Sequence, residues 1–159
     1  MGARSEALAK AFEAKAAEMT AALEKLSDAD WKKVTAAEKW PVGVTAHHVA
    51  SSHEAIAGLV KTLAGGQSVP NLTMAMIDEG NAQHAKEFAN VGKADTLALH
   101  KKSVATAASV VRGIDDPDLD RSATVLQGMP AMSTQQAIEG ILINHITGHL
   151  GSIKATVGG

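Results

Sequence analysis

Apolar residues recur at steps of three and four through nearly every long stretch of this chain, and that spacing leaves room for little but helices. Leu8, Phe12, Ala16, Met19, Leu23 and Leu26 form the first such series, with Glu6, Lys10, Glu13, Glu18 and Lys25 on the other faces. This is the pattern of a helix with one buried side, and it predicts a first helix over Ser5 to Leu26. Ser27 to Lys32 reads as a capped short turn of helix. Trp40-Pro41 then sets up a second long helix, because proline suits a first helical turn and is disfavoured further in, and Gly65-Gly66 ends it. Beyond a loop containing Pro70, Thr73 can cap a third helix through Met74, Ile77, Asn81, His84 and Phe88. Asp95 can cap a fourth that carries Leu97, Val104 and Val111 up to Gly113. Both are expected to face the core.

The stretch from Asp115 to Pro130 contains two prolines, a run of aspartates and no sustained period. It reads as a long connection with one short turn, a candidate lid or pocket wall. Ser133 and Gln136 make a capping box for a fifth helix, whose apolar series is Ile138, Ile141, Leu142, Leu150 and Ile153. The simplest packing of these pieces is an all-α four-helix bundle with an additional short helical segment, one domain over residues 1–159.

Composition closes off several functions. Of the 159 residues 45% are hydrophobic, but alanine leads them and there are only two Phe, two Trp and no Tyr, a mix that favours helices over sheets. A formal charge of −2, with lysines spread among carboxylates, gives no electrostatic footprint for DNA or RNA. No window approaches the roughly 18–20 apolar residues of a membrane span, and Met1 to Lys25 lacks the apolar stretch of a signal peptide, so a soluble, cytoplasmic protein is expected. Cysteine is absent, which removes disulfides, thiolate metal ligands and any thiol nucleophile of the chain's own.

Seven histidines remain, at positions 47, 48, 53, 84, 100, 145 and 149. His145 and His149 are four apart on the fifth helix, one turn from each other on the same face, a separation that lets both imidazoles reach one metal ion. Both project into the stripe of Ile138, Ile141, Leu142 and Ile153, so they are expected to point into the bundle. A third ligand has to come from elsewhere, and the second helix offers His47, His48 and His53. At about 100° per residue its apolar stripe centres near Thr45, Ile56 and Leu63. His47 falls opposite, with Gly43, Ser51, Glu54, Gly58 and Lys61, and is expected to be solvated. His48 and His53 lie about 70° to either side of the centre, and periodicity does not choose between them.

The segment Trp40-Pro-Val-Gly-Val-Thr-Ala-His-His-Val-Ala50 resembles the start of the second helix in the DinB-like superfamily, where a Trp, a Val-Gly step and a His before a hydrophobic residue and Ala mark the first metal histidine. On that resemblance His48 takes the place. Asn144-His-Ile-Thr-Gly-His-Leu-Gly-Ser-Ile153 is similar to the superfamily's closing helix, in which a His-x-x-x-His pair completes the site. The likeness runs from Leu8 to Ile153, carried by these two motifs. It implies a DinB/YfiT-like bundle holding one divalent ion on His48, His145 and His149, with zinc the first choice and nickel, manganese or iron compatible with the same donors. His84 and His100 lie at core spacing and read as ordinary buried or half-buried histidines. Asn81, one turn before His84, makes those two residues the first candidates for contacts to a small-molecule substrate.

Three neutral imidazoles would leave a position open on the metal, the arrangement of catalytic sites. The resemblance implies thiol-dependent transferases or isomerases that activate a low-molecular-weight thiol, which suits a chain without cysteine. Metal-dependent hydrolysis ranks second, because neither Asp78 nor Glu139 is clearly placed as a general base. The third reading is a non-catalytic bundle that binds a metal or small ligand and acts as a sensor, carrier or stress protein. Exposed small-residue stripes, and the habit of similar proteins, point to a homodimer.

Overall fold

The computed structural model describes residues 2–69 and 71–158. Pro70, expected in a loop, lies outside the described residues, as do Met1 and Gly159. The chain forms α1 (Ala3–Glu24), α2 (Asp28–Lys32), α3 (Val42–Ala64), α4 (Met74–Glu87) and α5 (Lys93–Arg112). A 3-10 turn over Asp116–Asp120 follows, then the two-residue strands β1 (Ser122–Ala123) and β2 (Met132–Ser133), paired antiparallel with Ser122 opposite Ser133. The closing helix runs without a break through α6 (Thr134–Ala137), a π-helical segment (Ile138–Ile143) and α7 (Asn144–Val157).

The bundle consists of α1, α3, α5 and the closing helix. The α1 face predicted from periodicity is the buried one: Leu8, Phe12, Ala16, Met19 and Leu23 all lie in the core. On α5 the inward seam is small and polar, with Thr96, His100, Ser103 and Ala107 buried, and this lets it approach α3 closely enough for Ser103 Oγ to donate to the Ala50 carbonyl at 2.6 Å. Of the residues expected to face the core, Val111 is fully buried, and Leu97 and Val104 are partly buried and pack against it. The cap of α5 is Gly92, and Asp95 sits within its first turn.

The third helix departs from expectation. Thr73 caps α4 as predicted, accepting from Met76 N, but no α4 residue is buried. This helix lies outside the bundle and touches α3 with its C-terminal end. Asp115 to Pro130 also holds more order than one turn. Leu119 is fully buried, and the Asp116 carboxylate accepts from the backbone N–H of Arg4 and Ser5 at 3.2 and 3.1 Å, capping α1 from a distance in sequence.

The predicted capping box is present at Ser133 and Gln136, yet the helix it starts is not uniformly α. The π segment adds one residue to a turn, which turns everything after it by about 100° relative to a regular helix. Ile146, Leu150 and Ile153 therefore line up with Ile138 in the core. The histidine pair, expected to lie within that stripe and point into the bundle, sits on its flank, half-buried.

Candidate metal centre

The flank of α7 faces the first half of α3, where every residue from Val42 to Ala50 is buried. His145 and His149 are consequently half-buried rather than enclosed. His145 Nε2 stands 3.0 Å from Nε2 of His48, and one ring nitrogen from each of His48, His145 and His149 falls within 4.8 Å of the others. His53, the alternative left open by periodicity, points the other way, against Phe12 of α1.

Burial sets the protonation state of the group. His48 is held down to about pKa 3, first by desolvation and then by the neighbouring His145 and His149. His145 is held down to about 4, again by desolvation first and then by His149 and His53. Both are neutral at pH 7 and present lone pairs, as metal ligation requires. Two nitrogens on one tetrahedral Zn²⁺ stand roughly 3.3 Å apart, given bonds of about 2.0–2.1 Å, so a single small cation would draw in donors that here lie within 4.8 Å of one another.

A carboxylate that sequence reasoning missed completes the arrangement. Glu38 lies on the loop between α2 and α3, and its Oε1 is 2.8 Å from Nδ1 of His149. Lys39 adopts φ 61°, in the left-handed region, and the loop is closed by the Thr35 N–H donating to the Trp40 carbonyl at 2.9 Å and by a bridge between Val34 and Pro41. That fold-back brings Glu38 to His149 and Trp40 edge-on to His48, with ring centroids 5.3 Å apart. Burial would raise the Glu38 pKa, but hydrogen bonds from Thr35 and His149 outweigh it and hold the group below its ordinary value. Its only trace in the sequence is a carboxylate just before the Trp-Pro entry to α3, and nothing there says that it meets a residue 111 positions later.

His47 corrects the periodic reading. It is only 6% exposed, because the far side of α3 is covered. Phe88 stacks on it at 4.1 Å, and His84 Nε2 lies 2.8 Å from its Nδ1. One turn earlier the Trp31 indole covers Gly43, so closely that a Cβ there would fall 2.3 Å from Nε1. Ser51, Glu54, Gly58 and Lys61, farther along the same face, are exposed as predicted.

His84 thus sits beside the cluster, its ring centroid 5.6 Å from that of His48. Desolvation first, then His47, holds it down to about pKa 4, and its Nδ1 is buried without a partner. Asn81 is half-buried on the same helix, and its side chain makes no hydrogen bond among the described residues. His100 is the ordinary core histidine expected, 1% exposed and bonded to His53 and to the Ala16 carbonyl. Asp78 and Glu139 are exposed, and Glu139 is bonded to Gln135.

Comparison with known proteins bears on the fold and the family. The fold is similar to that of a mycothiol-dependent maleylpyruvate isomerase, with TM-score 0.74 and 13% identity over 94% of this chain. This chain spans 60% of the length of that isomerase. It is also similar to YfiT from Bacillus subtilis, described as a probable metal-dependent hydrolase with an unusual four-helix bundle topology. Here the TM-score is 0.74 and the identity 17%, over 99% of this chain and 90% of that one. No curated protein gives a significant match. The DinB superfamily model matches residues 11–153, taking in the Trp40 loop, His48 and the His145–His149 pair, and the chain belongs to that superfamily.

Proposed function

We propose that this chain is a metal-dependent thiol transferase or isomerase, with one divalent ion, zinc first, held by His48, His145 and His149. The observation that carries the reading is the convergence of these three imidazoles from α3 and α7, two of them kept neutral by burial. Three protein donors leave a tetrahedral ion one position for a ligand from outside. A divalent ion in that setting supplies Lewis acidity that favours the ionised form of a coordinated thiol or water.

The chain's own residues shape what can happen there. Glu38 fixes the ring of His149 through Nδ1 and so turns its other nitrogen toward the cluster. Trp40 and His84 pack edge-on to His48 and limit water at the α3 side. His84, with Nδ1 unpartnered, and Asn81, with a free amide, are the side chains offered to a small electrophilic substrate. The nucleophile has to be brought in, since the chain has no cysteine.

Hydrolysis is the second reading. It is favoured by the near full-length likeness to YfiT, and opposed by the engagement of the Glu38 carboxylate with His149, which commits that carboxylate to holding an imidazole in place. Elemental analysis of the untagged protein beside a His48, His145 and His149 triple-alanine variant tests the site: about one metal per chain in the parent and none in the variant is expected. The metal-loaded protein is then offered an electrophile with and without cellular thiols, and test esters and amides without thiol. Turnover only with thiol supports the transferase, turnover without it the hydrolase, and metal-free protein even after incubation with zinc and nickel would withdraw both.

A further inference from the structure

A cavity of about 710 Å³ opens on the closing helix just before the histidine pair. The π segment forms its floor through Gly140 and Ile141, and the stretch Met129–Met132 that leads into β2 forms its outer wall. Ile141 precedes His145 by four residues on one side of the helix, a separation of about 6 Å along the axis. Asn144, at the near end of the cavity, is the immediate neighbour of His145. The outer wall is also tied to α4, because the Gln127 N–H donates to the Leu72 carbonyl at 2.9 Å. That carbonyl lies just ahead of the helix that brings His84 against His48.

The lining decides what fits. A volume of this size is ordinary for a small-molecule site, about 300–1,000 Å³. Met129, Pro130, Met132 and Ile141 are apolar, and no lysine or arginine joins them. Gln136 is committed to the helix cap, its Oε1 accepting from Ser133 N at 2.8 Å, and Glu139 accepts from Gln135 at 3.1 Å. The Asn144 amide makes no hydrogen bond among the described residues. A carboxylate brought in here would give up hydration without gaining a countercharge, and would meet the like charge of Glu139. A neutral carbonyl or amide group can pair with Asn144 and avoids both costs. The side chains packed on the three imidazoles repeat the pattern: Glu38, Trp40 and His84 include no fixed cation.

We propose that this cavity seats the electrophile, an uncharged molecule with an apolar body and a carbonyl or amide group that pairs with Asn144. The inference rests on the metal-dependent thiol-transfer reading and names the substrate class of that site. Gly140 keeps the seat open, since it has no side chain and a Cβ there would meet nothing within 4 Å.

NMR titration of the zinc-loaded full chain with cinnamamide, and with cinnamate as its anionic counterpart, tests the seat. Cinnamamide is expected to shift the backbone amides of Met132, Gly140 and Asn144 and to bind about tenfold tighter than cinnamate, or more. Gly140→Leu fills the cavity from an exposed helical position and is expected to weaken that binding about tenfold, with zinc affinity unchanged. Asn144→Ala, which removes only an exposed amide, is expected to weaken it about threefold to tenfold. In the cobalt-loaded protein the vinyl protons of bound cinnamamide are expected to relax faster than in the zinc-loaded protein, because a paramagnetic ion is near. Equal or tighter binding of cinnamate, shifts elsewhere on the chain, parent-like binding in both variants, or equal relaxation with the two metals would each overturn the seat and leave the metal reading standing. No zinc or cobalt bound by the parent would overturn the metal reading, and this inference with it.

Discussion

The Glu38 carboxylate and Nδ1 of His149 meet at 2.8 Å across 111 positions of sequence, with the carboxylate 10% exposed and the imidazole 22%. A carboxylate behind a ligand histidine selects its tautomer and strengthens its lone pair. Glu38→Gln keeps the shape and a hydrogen bond but loses the charge, and is expected to lower zinc affinity about tenfold, with Glu38→Ala nearer a hundredfold. Competition titration against a zinc chelator measures both. Affinities within a factor of two of the parent would mean that His149 is held by packing.

Gly43 tests the covering of α3. A Cβ there would meet the Trp31 ring at 2.3 Å, and Trp31 has its own tie, Nε1–H to the Val91 carbonyl at 2.8 Å. Gly43→Ala has to push the indole away and break that bond. A loss of about 1–3 kcal/mol is expected, read from urea unfolding, together with a rise in the exposure of His47. An unchanged unfolding midpoint would show that the indole yields freely.

Acid should weaken the metal-free protein through its buried histidines. His53 is held down to about pKa 3 by desolvation and by His100, against about 6.5 in the unfolded chain. Between those values the unfolded state binds more protons, so the stabilisation is complete above about pH 6.5 and is lost as pH falls toward 3. Each such group contributes a slope of up to about 1.4 kcal/mol per pH unit. Urea unfolding in the presence of chelator at pH 7.5 and 5 is expected to show this fall, reduced by about 2 kcal/mol in His53→Gln. Equal falls in parent and variant would show that His53 does not titrate in this window.

Where contacts were local, the sequence announced them. The α1 stripe, the Ser27, Thr73 and Ser133 caps and the glycine end of α3 depend on residues within a turn or two, and the motifs around His48 and His145–His149 carried the family. What escaped was set by tertiary contact. His47 is buried only because Phe88 and His84 arrive from another helix. Helix α4 has a helical pattern, but no local signal told that its apolar side would stay outside the core. Glu38 needed the Lys39 turn to reach its partner, and the choice of His48 over His53 depended on which neighbouring helix each one met.

The π segment was equally invisible, since Ile138–Ile143 has the spacing of an ordinary amphipathic helix. The bulge can be removed without losing the register it creates. Gly140 lies inside it, exposed, with nothing within 4 Å of a notional Cβ, and deleting this one residue would return the turn to α geometry. The residue lost is the one that the π turn absorbs, so the residues on either side keep their present directions: Ile146, Leu150 and Ile153 stay in the core, and His145 and His149 stay on its flank. Circular dichroism is expected to show helicity nearly unchanged, and zinc affinity is expected to stay within about threefold of the parent. A fall of about tenfold or more would show that the π turn itself, and not the register it creates, sets the position of His145 and His149.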